Sequence, residues 1–474
     1  MQASRPHFAL AFLPLLFLIG MLALNVHIFG DDALSFANQL ALLAAGGFAG
    51  IVGLFLKTPP GKMMEGVTEN IRQALPAILV LLLIGSLSGS WLFGGVVPAM
   101  IYYGLKILHP DYFLFTACVI SAVVSLATGS SWGTIATVGI ALLGIGKTMD
   151  IHEGLIAGSI ISGAYFGDKM SPLSDTTNLA PAVAGTDLFS HIRYMAITTV
   201  PSILITLLIF LIIGLSFDKQ MNAENVAMVN QQLEANFSLS PWLFIVPLAV
   251  VGLIIKRVPA VPALAIGTLL GVLGGFVFEG PLIADLLSQG EYNGAYSIAV
   301  TAMGSDFSIP SSNPLLAELL SSGGMSGMLG TIWLVICAMV FGGIMEKSGC
   351  LATISEALLK LAHGQTGLVG TTAASSIFMN LTASDQYLAI VVPGKMYQKA
   401  YEERGLHPVN LSRTLEDAGT VTSVLIPWNT CGAAQAGVLG VATAIYWPFC
   451  FFCLISPVMT VAVSALNYRV RKLS

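Results

Sequence analysis

Charge is what this sequence has least of. Of its 474 residues only 9% are Asp, Glu, Lys or Arg, against about 25% in an ordinary soluble domain. Water is thereby excluded as the solvent for most of the chain. No stripe of basic residues runs through it, and the net charge of −5 is spread over loops, so nothing points to a nucleic-acid partner. Cysteine is scarce too: the six residues at 118, 337, 350, 431, 450 and 453 lie mostly in apolar runs. They read as small buried hydrophobes without metal or redox spacing, which leaves metal clusters and disulfide frameworks unsupported. No His-Glu-x-x-His motif occurs, and no nucleophile stands beside a base, so the sequence supports neither an intramembrane enzyme nor a cofactor.

What fills the chain instead is apolar: 55% of residues are hydrophobic and mean hydropathy is +0.83. Runs such as Phe8–Phe29, Leu34–Leu56, Ile192–Leu215 and Trp242–Ile255 with its flanks match a hydrocarbon core about 30 Å thick. So many runs make the membrane domain the protein. The first follows a single basic residue, Arg5, and passes Gly20 without a small-residue cleavage site, which reads as a retained helix.

Lys and Arg in short loops set orientation. Lys57, Lys62, Arg72, Lys256, Arg257, Lys395, Lys399, Arg404, Arg413, Arg469, Arg471 and Lys472 assign their segments to the cytoplasm. Residues 281–326 hold Asp285, Glu291, Asp306 and Glu318 with no Lys or Arg, and 218–240 hold only Lys219, so both are read as external. Threading the chain this way predicts an all-α polytopic protein of about ten crossings with both termini cytoplasmic; Lys106, on the outer side, runs against the rule. Two excursions return to the side they leave, each broken by a polar tip, Thr128-Gly-Ser-Ser131 and Thr382-Ala-Ser-Asp385. They read as re-entrant helical hairpins, tolerated at membrane depth only where protein or a water-filled cavity satisfies the backbone.

The tips lie 254 residues apart, counted from Thr128 to Thr382, and the same offset relates Gly89 to Gly343 and Gly95 to Gly349. A polar break follows each hairpin, at Gly167–Asn178 and Gly419–Thr430. The loop charges start helix 72–93 inside and its counterpart 327–345 outside, so the halves are inverted. The expected layout is N-terminal helices over 1–71, a first inverted repeat over 72–217, connecting helices and periplasmic segments over 218–326 and a second repeat over 327–474. Inverted repeats with discontinuous helices meeting near the midplane are the plan of secondary transporters.

The segment Gly167–Gly185 sets Asp168, Lys169, Ser171, Ser174, Asp175, Thr176, Thr177 and Asn178 in an apolar span. A carboxylate there costs about 2.5–3.5 kcal/mol on insertion scales, which argues for a role. Pro172 breaks the helix and frees carbonyls that, with Ser, Thr and Asn oxygens, suit a hard cation. A carboxylate so placed is able to release its proton when the cation arrives. Asp175 is the first choice for this work and Asp168 the second, the alternative being a structural pairing of Asp168 with Lys169. Asp385 reads either as a second proton carrier or as the cap of the hairpin's second helix. Thr128, Ser130, Ser131, Thr134, Thr382 and Ser384 read as tip groups facing substrate or as simple caps, and Asn429 and Thr430 are the second break's counterparts. Glu416 and Asp417, beside Arg413, read as a solvated pairing at the cytoplasmic start of a helix. His191 and His407 are the histidines considered for pH sensing.

The run Gly163-Ala-Tyr-Phe-Gly-Asp-Lys-Met-Ser-Pro-Leu-Ser-Asp-Thr-Thr-Asn-Leu-Ala-Pro181 resembles the signature of the NhaC family of Na+/H+ antiporters, within the ion transporter superfamily. Ser130-Ser-Trp-Gly-Thr134, Leu381-Thr-Ala-Ser-Asp-Gln-Tyr387, Leu411-Ser-Arg-Thr-Leu-Glu-Asp417 and Ile426-Pro-Trp-Asn-Thr-Cys-Gly432 resemble further family segments in order. The resemblance covers most of the chain from about residue 60. It implies a bacterial inner-membrane antiporter of Na+ and H+, a homodimer with a scaffold and a mobile transport domain moving as an elevator, and Asp168, Asp175 and Asp385 as the acids to test. Some relatives exchange sodium and lactate for malate and protons. No Arg at either tip is placed to clamp a carboxylate, which favours plain cation exchange over an organic-acid or amino-acid antiporter, although helix N-termini bind anions without Arg.

Overall fold

The structure, a computed structural model, describes residues 6–29, 36–216, 223–311 and 313–473; Arg5, which precedes the first apolar run, and Lys219, in the segment read as external, lie outside them. Long apolar runs can satisfy their backbone in lipid only as helices, and the described residues are helical almost throughout. Their one sheet is a two-stranded antiparallel pair, Phe307–Ser308 with Ser321–Ser322. Among the described residues seven helices are long and apolar enough to cross a membrane, or up to nine spans if each of two bent helix pairs counts as one. Phe8–Phe29 forms a helix with the bounds read from sequence. The run at 34–56 forms Ala37–Phe55, and that at 192–215 forms Leu188–Leu215, where Asp187 accepts from the Ser190 N–H at 2.9 Å. That bond holds the Asp187 carboxyl below its usual value.

The stretch 57–72 is mostly not a loop. Pro60 opens a 34-residue helix, Pro60–Phe93, because proline's fixed φ and missing N–H suit the first turn. Lys62 and Arg72 are therefore exposed positions on this helix. The cysteine reading also needs one correction. Cys450 and Cys453 do stand as C-x-x-C, yet all six cysteines are free and buried, so the apolar context outweighs the spacing.

Both polar tips interrupt helices. Pro110–Thr128 ends at Gly129, whose φ of +70° turns the chain into Ser131–Thr134, a wide π turn and Ile140–Thr148. Gly364–Thr382 ends near Ser384, φ +59°, before Gln386–Glu403. Both polar breaks follow: Glu153–Met170 stops at Ser171 and Asp175–Ala184 resumes, while Val409–Leu415 widens into a π turn over Glu416–Thr420 and Thr430–Leu439 resumes beyond Asn429.

Helices Pro110–Thr128 and Glu153–Met170 cross with little between them. A Cβ on Gly163 would stand 2.1 Å from the Cys118 carbonyl oxygen, and one on Gly167 2.4 Å from that of Ala122. Small residues permit such approach between apolar helices, and Ser125 Oγ donates across it to the Ala164 carbonyl at 2.6 Å. Gly163→Val is expected to lower the melting temperature in detergent by an amount equivalent to about 1–3 kcal/mol of overpacking; an unchanged melting curve would refute the close crossing.

Candidate functional site

The close crossing carries the end of one helix to the start of the next. Asp168, in the last turn of Glu153–Met170 and 8% exposed, accepts from Ser131 Oγ at 2.6 Å and from the Ser131 N–H at 3.2 Å. The first tip and the first break are thus one unit. Ser130 Oγ caps the short helix by accepting from the Gly133 N–H at 3.0 Å, and Thr134 Oγ1 donates back to the Ser130 carbonyl at 2.9 Å. Thr128 Oγ1 donates to the Ser125 carbonyl at 3.4 Å.

Within the break the polar side chains occupy its backbone. Thr177 Oγ1 donates to the carbonyls of Lys169 at 2.9 Å and Asp168 at 3.2 Å. Asn178 Nδ2 donates to those of Pro172 at 2.9 Å and Ser174 at 2.7 Å. Ser171 Oγ accepts from the Leu173 N–H at 3.3 Å, and Ser174 Oγ lies 3.2 Å from Thr176 Oγ1. Several of the carbonyls freed by Pro172 are therefore already met. Asp175 is different: it is exposed, at the first turn of the resumed helix, where the N-terminal partial positive charge favours an anion.

The second half joins its tip and break through amides rather than a carboxylate. Asn429 Nδ2 donates to the Asn380 carbonyl and to Asn380 Oδ1, both at 3.1 Å, and its own Oδ1 accepts from the Cys431 N–H at 3.0 Å. Asn380 Nδ2 donates to the Gly419 carbonyl at 2.6 Å. The Thr430 N–H donates to the Ser384 carbonyl at 2.9 Å, and Thr430 Oγ1 lies 3.5 Å from Asn429 Oδ1. Thr382 Oγ1 folds back onto the Phe378 carbonyl at 2.8 Å, and Ser384 Oγ is buried without a partner among the described residues. Asp385 caps Gln386–Glu403, its Oδ1 accepting from the N–H groups of Tyr387 at 2.9 Å and Leu388 at 3.0 Å. The second tip meets the first break where helix Gln386–Glu403, capped by Asp385, packs on Asp175–Ala184.

Two sequence readings fail on geometry. Asp168 does not pair with Lys169: the Lys169 ammonium binds Asp417 Oδ1 and, at 2.9 Å, Ser456 Oγ, because successive residues of a helix point apart. Glu416 and Asp417 are not solvated; they, Arg413 and Lys169 all have 0% exposure. The helix that holds them begins at Val409, so seven residues at 1.5 Å each carry Glu416 about 10 Å inward from its start. That count was the available signal. Thr198 Oγ1 at 3.2 Å and Ser456 Oγ at 3.1 Å complete the shell of Asp417 Oδ1. Arg413 stacks on the Tyr194 ring at 4.8 Å. Buried His191 meets Ser412 Oγ through Nδ1 at 2.8 Å. His407 lies outside the spans, where burial and then the charge of Arg471 hold its imidazole below the usual value.

The model of the Na+/H+ antiporter family matches residues 163–467. The chain is 36% identical to the Na+/H+ antiporter NhaC of Alkalihalophilus pseudofirmus over 90% of this chain and 89% of that one. It is 35% identical to the malate-2H+/Na+-lactate antiporter of Bacillus subtilis over 87% and 85% of the two chains. To the arginine/ornithine antiporter ArcD of Halobacterium salinarum it is 34% identical over 98% and 93%.

Proposed function

The chain belongs to the Na+/H+ antiporter family, a multi-pass membrane transporter and not an enzyme, and from that premise we propose that it exchanges Na+ for H+ across the bacterial inner membrane by alternating access. The observation that carries this reading is the junction of tip and break: a buried Asp168 carboxylate held by Ser131, a few residues from an exposed Asp175 at a helix N-terminus. The cation binds at Asp175 with Asp168, and Asp385 is the further acid within reach. Ser171, Thr176, Thr177 and Asn178 shape the break, and Asn429 and Thr430 brace its counterpart.

Element bounds support two inverted repeats, over 72–217 and 327–474, flanked by N-terminal helices over 1–71 and connecting segments over 218–326. Pro110–Thr128 and Gly364–Thr382 are each 19 residues long. Asp175–Ala184 and Thr430–Leu439 are each 10. Gly95 and Gly349, both left-handed, open the helices that precede the two hairpins. About ten crossings result when the hairpins are re-entrant and the broken helices cross, with both termini cytoplasmic. Ion pairs of Lys147 with Glu318 at 2.8 Å and Lys106 with Glu234 at 3.7 Å support one outer side for these loops and supply Lys106 with a reason to be there. The chain works as a homodimer, its tips and breaks moving as an elevator.

The test is proton flux in proteoliposomes holding purified protein, acid inside, with a pH dye. Added NaCl alone is expected to dissipate the gradient. A gradient that persists until malate, lactate or an amino acid is supplied would replace this reading with organic-substrate exchange on the same fold, the activity that the names of two relatives describe.

A further inference from the structure

The buried stretch from Arg413 to Thr420 takes no part in the cation site just described. Glu416 has 0% exposure, and neither of its carboxylate oxygens has a hydrogen-bond partner among the described residues. Thr420 Oγ1 faces it without closing a bond of ordinary geometry. The two adjacent acids of the π turn over Glu416–Thr420 meet different neighbours, as successive helical residues do. Asp417 takes Lys169, Thr198 and Ser456; Glu416 takes none.

The charges around Glu416 explain why this isolation matters. Helix Glu153–Met170 brings Lys169, committed to Asp417, and Asp168, held by Ser131. The resumed helix packed on the turn begins with Asp175. On the same stretch Arg413 leans to Asp417, Nε to Oδ2 at 3.9 Å. Helices Gly364–Thr382 and Phe451–Ala465, also packed on the turn, have no charged residue, and those of Gln386–Glu403 are exposed. An ionised carboxylate with neither solvent nor donor carries a penalty of several kcal/mol that its neutral form largely escapes. Among the acids of this region Asp168 has donors, Asp175 has solvent and Asp385 has two backbone N–H groups. Only Glu416 has neither solvent nor a hydrogen-bond partner among the described residues.

We propose that the exchanged proton rides on Glu416, a carboxyl separate from the Asp175 and Asp168 oxygens that take the cation. The proposal rests on the Na+/H+ reading and specifies how its two substrates compete. A cation arriving at Asp175 and Asp168 adds positive charge beside Glu416, which then releases its proton to water on the open side. Departure of the cation reverses the step, and the coupling passes through space between neighbouring carboxyls.

Glu416→Gln imitates the protonated carboxyl permanently. In proteoliposomes this variant is expected to keep exchange of radioactive sodium for unlabelled sodium within about twofold of wild type, while sodium-driven proton movement falls at least about tenfold. Proton movement near the wild-type rate would overturn the proposal. So would loss of both activities in a variant that elutes as folded protein, since Glu416 would then be a cation ligand or a structural group. Wild type supplies a second readout that needs no variant to fold: Na+ addition is expected to remove a protonated-carboxyl band from its infrared difference spectrum, and no such loss would refute the assignment. Glu416→Asp is expected to shift that band. Wild-type protein that moves no protons with Na+ would instead mark failure of the exchange reading itself.

Discussion

Asp175→Asn abolishes sodium-driven proton movement while the protein remains folded in the membrane; that is the expected result, and electrostatics sets its size. Asp175 lies exposed at the first turn of a helix that resumes after a break. The capping bonds there belong to Ser174, whose Oγ accepts from the Thr177 N–H at 3.5 Å, so the amide leaves the local backbone undisturbed. What it removes is the unit charge proposed to face the cation. Two unit charges about 4 Å apart attract by about 4 kcal/mol at an effective dielectric constant near 20, so the exchange rate at low sodium should fall by a factor on the order of 100 to 1000. The proteoliposome assay at several sodium concentrations, with size-exclusion elution as the folding control, measures it. Full activity in the folded variant would remove Asp175 from the site. Asp168→Asn offers a contrast, because its bond with Ser131 makes it part of the junction itself; loss of both activity and thermal stability is the result to compare.

The largest stability effect is expected at Lys169. Its ammonium and the Asp417 carboxylate are both fully buried, and the shell of Ser456 and Thr198 hydroxyls is built around the pair. Removing one partner strands the other charge out of water, typically at a cost of about 3–5 kcal/mol. Lys169→Met should therefore lower the melting temperature in detergent sharply or abolish recovery of folded protein. A pair replaced by apolar groups is often nearly neutral, so Lys169→Met combined with Asp417→Leu should be more stable than the sum of the single effects. Recovery will be partial, because Arg413 Nε has its nearest carboxylate oxygen on Asp417, at 3.9 Å. Thermal denaturation of the two single variants and the double forms the cycle that measures the coupling. Wild-type melting of Lys169→Met alone would show that stranding Asp417 costs nothing and would overturn this expectation.

How much of this was legible before the structure depends on whether the property is local. Helix Phe8–Phe29 has the bounds of its apolar run, since a run long enough for the bilayer has only one way to satisfy its backbone. The break at Ser171–Ser174 follows from Pro172 and from Ser174, which caps the resumed helix, and the tips follow from Gly129 and from Asp385 as a cap. These are statements about neighbours in the chain, and the motif around Asp168 and Asp175 could be picked out on that basis. The partners could not. Asp168 is held by Ser131, 37 positions away, because Gly163 and Gly167 let two helices touch. Lys169 chooses Asp417, 248 positions away, over the adjacent Asp168. Whether Arg413, Glu416 and Asp417 meet water or one another depends on which helices pack around them. By itself the sequence determined that the chain lives in a bilayer, where its helices break and which acids stand at the breaks, all properties of composition and local chain geometry. Only the tertiary structure decided which of those acids are paired, capped, open or alone, because desolvation and pairing are set by groups that come together only when distant helices pack.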